Sequence, residues 1–228
     1  SEHPEQDAEV ISMAYNIFNM LGVENLELVI NSVGSKETKK KYSTILKEYL
    51  SNHIGDLSDI STERYSKNPL RILDSKSKEE QSIIKEAPSI LESLNDYEKK
   101  HFDQVQRFLD KLNIPYTIDH RLVRGLDYYT LTTFEIRTQS IGSQDALCGG
   151  GRYNNLIEQL GGKPVPAIGF AAGMERLMMA LNLDKQTKAS KIDVFIISAG
   201  DDAITNSLKI CDTLRNQLGI KVMMDFTR

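Results

Sequence analysis

Tryptophan is absent from this chain of 228 residues, cysteine occurs twice and histidine four times. Cys148 and Cys211 stand far apart and outside any C-x-x-C pattern, which excludes a disulfide framework and a cysteine-built zinc site. They read as inert thiols. His3, His53, His101 and His120 complete no H-E-x-x-H motif and no recognisable Ser/His/Asp arrangement, so the common hydrolytic templates fail. No run approaches the ~18 consecutive apolar residues of a membrane span, and the opening Ser1-Glu2-His3-Pro4-Glu5 lacks the basic and apolar regions of a signal peptide. A cytoplasmic protein without a membrane partner is expected. A basic excess is lacking too: 28 Lys and Arg stand against 32 Asp and Glu, which makes no electrostatic case for a dedicated nucleic-acid binder. Two phosphate-binding loops are missing as well. Gly162-Lys163 runs into Pro164 without the upstream glycine of a P-loop, and Gly149-Gly150-Gly151 fails G-x-G-x-x-G because Asn154 occupies the last position.

What is present suits a globular protein. With 40% hydrophobic and 26% charged residues the chain can bury a sizeable core, and its length fits one large domain or two to three modules. Val10, Ile11, Ala14, Ile17, Phe18 and Leu21 follow helical spacing up to Gly22, where a C-terminal cap is expected. A strand over Leu26 to Ile30 is closed by the turn-forming run Asn31-Ser32-Val33-Gly34. From Lys36 to about Leu112 the texture is helical and polar. Tyr42, Ile45, Leu46, Tyr49 and Leu50 make one face, Ser77-x-x-Glu80 matches a capping box, and Val105, Phe108, Leu109 and Leu112 pattern a further helix.

Beyond this module, Tyr128 to Ile136 is rich in Thr, Tyr and Phe and reads as an antiparallel strand, with a turn at Ile141-Gly142-Ser143 before Ala146-Leu147-Cys148. Helices are expected at Tyr153 to Leu160 and Met174 to Leu181, followed by a polar linker, Asp184 to Lys191. An apolar strand from Asp193 to Ile197, a helix over Ile204 to Leu218 and a strand over Ile220 to Met224 form a β-α-β unit of parallel type. One crossover unit cannot cover both faces of its sheet, so the natural protein is expected to continue.

Three segments couple glycine to arginine: Leu122 to Tyr129, Cys148 to Tyr153, and Gly169 to Leu177. Three consecutive glycines remove every side chain beside the backbone and let a flat or bulky ligand approach its N–H donors. Arg124, Arg152 and Arg176 supply planar forks suited to carboxylate or phosphate oxygens. With the paired phenols Tyr128 and Tyr129, they point to a small anionic ligand that carries a polar group.

At these residues the chain resembles the histidyl-tRNA synthetase family. The run Arg124-Gly125-Leu126-Asp127-Tyr128-Tyr129-Thr130 with its following Thr-Phe-Glu resembles the first histidine-specific signature, and Cys148-Gly149-Gly150-Gly151-Arg152-Tyr153 the second. Gly169 to Leu177 resembles the third motif of class II aminoacyl-tRNA synthetases, and Asn68 to Asp74 a stretch of the bacterial insertion domain. The resemblance implies an α+β fold: a class II synthetase-like antiparallel sheet with helices, a helical insertion module, and the start of a C-terminal α/β anticodon-binding domain. The implied division is 1–35 for part of the catalytic core, 36–115 for the insertion, 116–186 for the core with its signatures, and 191–228 for the anticodon-binding domain. The family's first two motifs and its dimer-forming elements lie upstream of Ser1, so the segment alone is expected to be inactive.

The implied activity is histidine–tRNA ligation, in which ATP, accompanied by Mg2+, activates L-histidine to histidyl-adenylate and the histidine passes to tRNA(His). A homodimer is implied, and no metal held by the protein. By resemblance Arg124 sits at the α-phosphate, Arg176 and Gly173 belong to the ATP site, Tyr128, Tyr129 and Tyr153 surround histidine, and Gly149, Gly150 and Gly151 form its backbone floor. A fixed guanidinium stabilises the charge that builds on the phosphoryl oxygens without a protein base or nucleophile, which suits a site poor in both. The alternative is a non-catalytic histidine-sensing regulatory subunit of ATP phosphoribosyltransferase. Lys39, Lys40 and Lys41, the densest basic run of the insertion, read either as a solvated helix face or as contacts to the tRNA backbone.

Overall fold

A computed structural model describes residues 1–123, 128–141, 145–181 and 192–225. It divides into two units, Ser1–Leu181 and Asn182–Arg228. In the first, Pro4 at the opening turn and the acidic Glu5 and Asp7 beside it start helix α1 (Pro4–Met20), which Gly22 ends in the left-handed conformation. Ala8, Ile11, Ala14 and Phe18 make its buried face. The stripe is narrower than the spacing predicts, because Ile17 and Leu21 remain 42% and 48% exposed while Asp7 takes an inward position.

Strand β1 (Leu26–Ser32) runs two residues longer than predicted: Asn31 and Ser32 pair with Thr133 and Thr132, and the chain turns only at Gly34. With β2 (Thr117–Ile118), β3 (Thr130–Thr138), β4 (Ala146–Arg152) and β5 (Ile168–Ala172) it forms a sheet of order β2-β1-β3-β4-β5. Only the β1–β2 pairing is parallel; the others are antiparallel. The three consecutive glycines Gly149, Gly150 and Gly151 are inside β4, between β3 and β5. One face of the sheet, with Leu28, Ile30, Phe134 and Ile136, packs against α1 and against Phe102, Val105 and Leu109 of α5 (Asp96–Lys111). Thus α5, which the sequence groups with the helical segment, shares its apolar face with the sheet.

The helical segment has a second core. Tyr42, Leu46 and Leu50 of α2 (Lys36–Ser51) pack with Ile72, Ile83, Ile84 and Ile90, around the short α3 (Asp59–Lys67) and α4 (Gln81–Lys85). Its caps differ from prediction. Ser77 and Glu80 make no capping box; Glu80 is buried and instead accepts the Ser58 N–H at 2.7 Å and the Ser61 hydroxyl at 3.0 Å, closing the start of α3. The capping box forms at Asn95 and Glu98, opening α5. Glu98 also accepts the Ser35 N–H at 2.7 Å and the Thr38 hydroxyl, so one buried carboxylate ties the N-termini of α2 and α5 together.

The predicted helix at Tyr153 to Leu160 shortens to α6 (Leu156–Gln159), and α7 (Met174–Ala180) follows β5 directly. The expected linker lies outside the described residues. In the second unit, β6 (Val194–Ile196) and β7 (Val222–Met224) pair in parallel around α8 (Asp201–Leu218). Among the described residues no helix is long and apolar enough to cross a membrane.

Candidate active site

Alternation along a strand sends successive residues to opposite sheet faces. Phe134, Gly150 and Phe170 stand side by side on the helix-covered face, and the two phenyl rings lie 6.5 Å apart. A Cβ on Gly150 would come within 2.7 Å of the Phe134 ring and closer still to the Gly169 carbonyl. Gly150 therefore packs the core, unlike the open floor expected of it. Gly149 and Gly151 face the other way, where Gly149 stands between Glu135 and Ala171, and Gly151 between Thr133 and Gly169. That face carries a strip of almost bare backbone.

The tyrosines close over the strip. A Cβ on Gly151 would sit 2.9 Å from Tyr129 Cδ1, and one on Gly169 the same distance from the Tyr153 hydroxyl. The Tyr128 ring lies tilted against Tyr129 at 4.6 Å and meets Tyr153 edge-on at 6.0 Å. Tyr128 and Tyr129, adjacent in sequence, and the more distant Tyr153 thus form one aromatic wall, and Tyr129 is buried in the core of the helical segment. Gly169 was not among the predicted residues. Its signal in the sequence is weak, since a lone strand glycine reads equally as a bend.

Beside the strip, and sharing Glu135 with it, opens a cleft of about 690 Å³ lined by Asp119, Arg121, Arg137, Asp145 and Arg176. Each arginine is braced. Arg121 forks onto Asp119 through Nε at 2.8 Å and Nη2 at 3.0 Å, Arg137 Nε donates to Glu135 at 2.6 Å, and Arg176 Nη1 donates to the Ala146 carbonyl at 2.7 Å. Burial pushes the Asp119 carboxyl up, but hydrogen bonds from Arg121 and the charges of Arg121 and Arg137 outweigh it and hold its pKa below the usual range. Burial pulls Arg137 down, and its hydrogen bond and ion pair with Glu135 more than restore it. Gly173 precedes α7 and donates to the Leu147 carbonyl at 3.0 Å, with the stem of Arg176 against it. Three fixed guanidiniums among carboxylates suit a ligand that carries both signs of charge or phosphate oxygens.

Arg121 and Arg137 escaped the sequence reading. The sequence carries a signal for both: each arginine stands two residues after an acid, Glu135 and Arg137 on one face of strand β3 and Asp119 and Arg121 within a turn. Arg124 lies outside the described residues. Arg152 is the opposite case, since the predicted ligand fork is fully buried and engaged. It donates to Asp7 through Nε at 2.9 Å and through Nη2, to the Ser1 carbonyl at 2.7 Å, to the His3 carbonyl at 3.3 Å and to Asn154 Oδ1 at 3.1 Å. Asp7 also meets His101 Nε2 at 2.8 Å and accepts the Thr132 hydroxyl at 2.6 Å. Burial raises its pKa, and the hydrogen bonds of His101, Arg152 and Thr132 together take it below the ordinary value.

The antiparallel-dominated sheet with flanking helices is the fold of the apo histidyl-tRNA synthetase from S. aureus, which matches all of this chain and 56% of its own at a TM-score of 0.62 and 37% identity. The model of the family described as histidyl-tRNA synthetase matches residues 1–177, and the chain belongs to that family. The histidine–tRNA ligase of Crocosphaera subtropica is 45% identical over 98% of this chain and 52% of the relative. That of Lactiplantibacillus plantarum is 43% identical over 99% and 54%. The chain therefore spans about half the length of the curated relatives it matches. A structure titled as an ATP phosphoribosyltransferase regulatory subunit/histidyl-tRNA synthetase from Bacillus halodurans C, 19% identical at a TM-score of 0.55, covers 99% of this chain and 60% of that one and shares the fold.

Proposed function

We propose that the full-length protein carrying this chain is a histidine–tRNA ligase. The observation that carries the reading is the bare Gly149, Gly151 and Gly169 strip, closed by Tyr129 and Tyr153 and sharing Glu135 with a cleft of three braced arginines. Histidine fits beside the strip, where a phenol can hydrogen-bond imidazole and discriminate against side chains without that group. ATP, entering with Mg2+, lies toward Arg176 and Gly173. A carboxylate oxygen of histidine attacks the α-phosphorus, the α–β anhydride bond breaks, and pyrophosphate leaves. The terminal ribose of tRNA(His) then takes the histidyl group and AMP departs. Arg124, by its place in the signature, stabilises the charge on the α-phosphoryl oxygens. A cytoplasmic homodimer belongs to the same proposal.

The sensing reading is weaker, since the relatives above 40% identity are named as ligases and the regulatory-subunit likeness is one of fold alone. Histidine-dependent ATP–pyrophosphate exchange separates the two, because a sensor binds histidine without exchange. Arg124→Ala is expected to lower exchange by roughly 10² while calorimetry shows histidine affinity held. An unchanged exchange rate would remove Arg124 from that role.

A further inference from the structure

The sequence offers Lys39, Lys40 and Lys41 together as solvated surface or tRNA contacts, and the structure places Lys39 differently from its neighbours. Lys40 and Lys41 are exposed, whereas Lys39 is half-buried and its Nζ donates a 2.8 Å hydrogen bond to the Tyr129 carbonyl, ninety residues along the chain. Tyr129 is only 8% exposed and packs with Val33, Tyr42 and Val123 in the core of the helical segment. Its ring lies against the position where Gly151 lacks a side chain, so a shift of a few tenths of an ångström in its backbone would widen or close the strip. The helix carrying Lys39 is itself held at its start, where Ser35 and Thr38 bond the buried Glu98 of α5. A line of polar contacts thus runs from α5 through α2 to the backbone of a candidate histidine-site tyrosine. An ammonium donating to a carbonyl is a charge-assisted bond, stronger than one between neutral groups.

We propose that Lys39 is a positioning residue for amino-acid recognition: it holds the Tyr129 backbone so that the helical segment, not the sheet alone, sets histidine affinity. The inference rests on the reading of Tyr129 as part of the histidine wall. It also changes what the helical segment is for, because a module that would serve tRNA alone has no need to reach the aromatic wall.

The test uses the full-length protein in histidine-dependent pyrophosphate exchange, with KM measured separately for histidine and ATP. Lys39→Met should raise the histidine KM roughly three- to tenfold and leave the ATP KM within about twofold. Lys39→Arg, which keeps a charged donor of similar reach, should restore the histidine KM. A role in general stability would instead lower the melting temperature and move both KM values together, and that outcome would overturn the proposal. So would an unchanged histidine KM in Lys39→Met alongside a raised one in Tyr129→Leu. If Tyr129→Leu itself leaves the histidine KM unchanged, the reading of the site falls, and the role of Lys39 with it.

Discussion

Arg152 and Gly150 show how little a residue type says before its surroundings are known. Both belong to a signature that suggests ligand binding, yet Arg152 spends its donors on Asp7 and on main-chain carbonyls, and Gly150 makes room for Phe134. Asp7→Asn removes the counter-charge of a fully buried guanidinium and should cost about 3–5 kcal/mol in denaturant unfolding. A loss under 1 kcal/mol would mean that the other partners of Arg152 suffice. The two glycine faces make opposite predictions. Gly150→Val overpacks the core and should destabilise the protein by about 1–3 kcal/mol or more, where an open floor would have predicted lost histidine binding in a stable protein. Gly169→Ala intrudes only on the Tyr153 hydroxyl, so it should raise the histidine KM while leaving the melting temperature close to wild type; a normal KM would show that this part of the strip is not a binding surface.

Among the elements, the helical segment is built less independently than its composition suggests. Its core takes in Val123 and Tyr129 from the neighbourhood of the signature, and its first helix is tied to α5 by Glu98. The lysine prediction must therefore be divided. Lys39 is bonded to the Tyr129 carbonyl, and the exposed members, Lys40 and Lys41, remain candidates for phosphate. Replacing those two with Ala should flatten the salt dependence of tRNA binding by about one unit of log–log slope per lost contact. Pyrophosphate exchange should be untouched. An unaltered slope would assign both lysines to solvated surface.

Across the molecule, buried carboxylates join elements that are remote in sequence: Asp7 links α1 to α5 and the sheet, Glu80 closes α3, and Glu98 links α2 to α5. Burial raises each pKa, while hydrogen bonds lower all three below their ordinary values. A carboxylate with a depressed folded-state pKa adds stability that is complete above its unfolded value, near 4, and lost as pH falls through the folded one. Urea midpoints should therefore fall steeply only below about pH 4. The Asp7→Asn variant should show a shallower acid slope, and an identical slope would place the acid sensitivity in other groups.

The linear order of residues was enough to identify the family and the α+β class, because glycine runs, signature arginines and apolar spacing are local properties that survive without a structure. It also located α1, α2, α5 and the parallel β-α-β unit, whose periodicities come from the chain itself. It misjudged Asn31-Ser32 as a turn and Ser77-Glu80 as a cap, since both depend on partners elsewhere: Thr132 and Thr133 draw the first pair into a strand, and Ser58 and Ser61 claim Glu80. Only the tertiary structure decided which glycines pack the core and which lie on the opposite sheet face, because that follows from strand register and cross-strand neighbours. It likewise brought Arg121, Arg137 and Arg176 to one cleft and withdrew Arg152 into the interior. An arginine's chemistry is the same in both places; whether it can meet a ligand depends on what the fold has already placed against it.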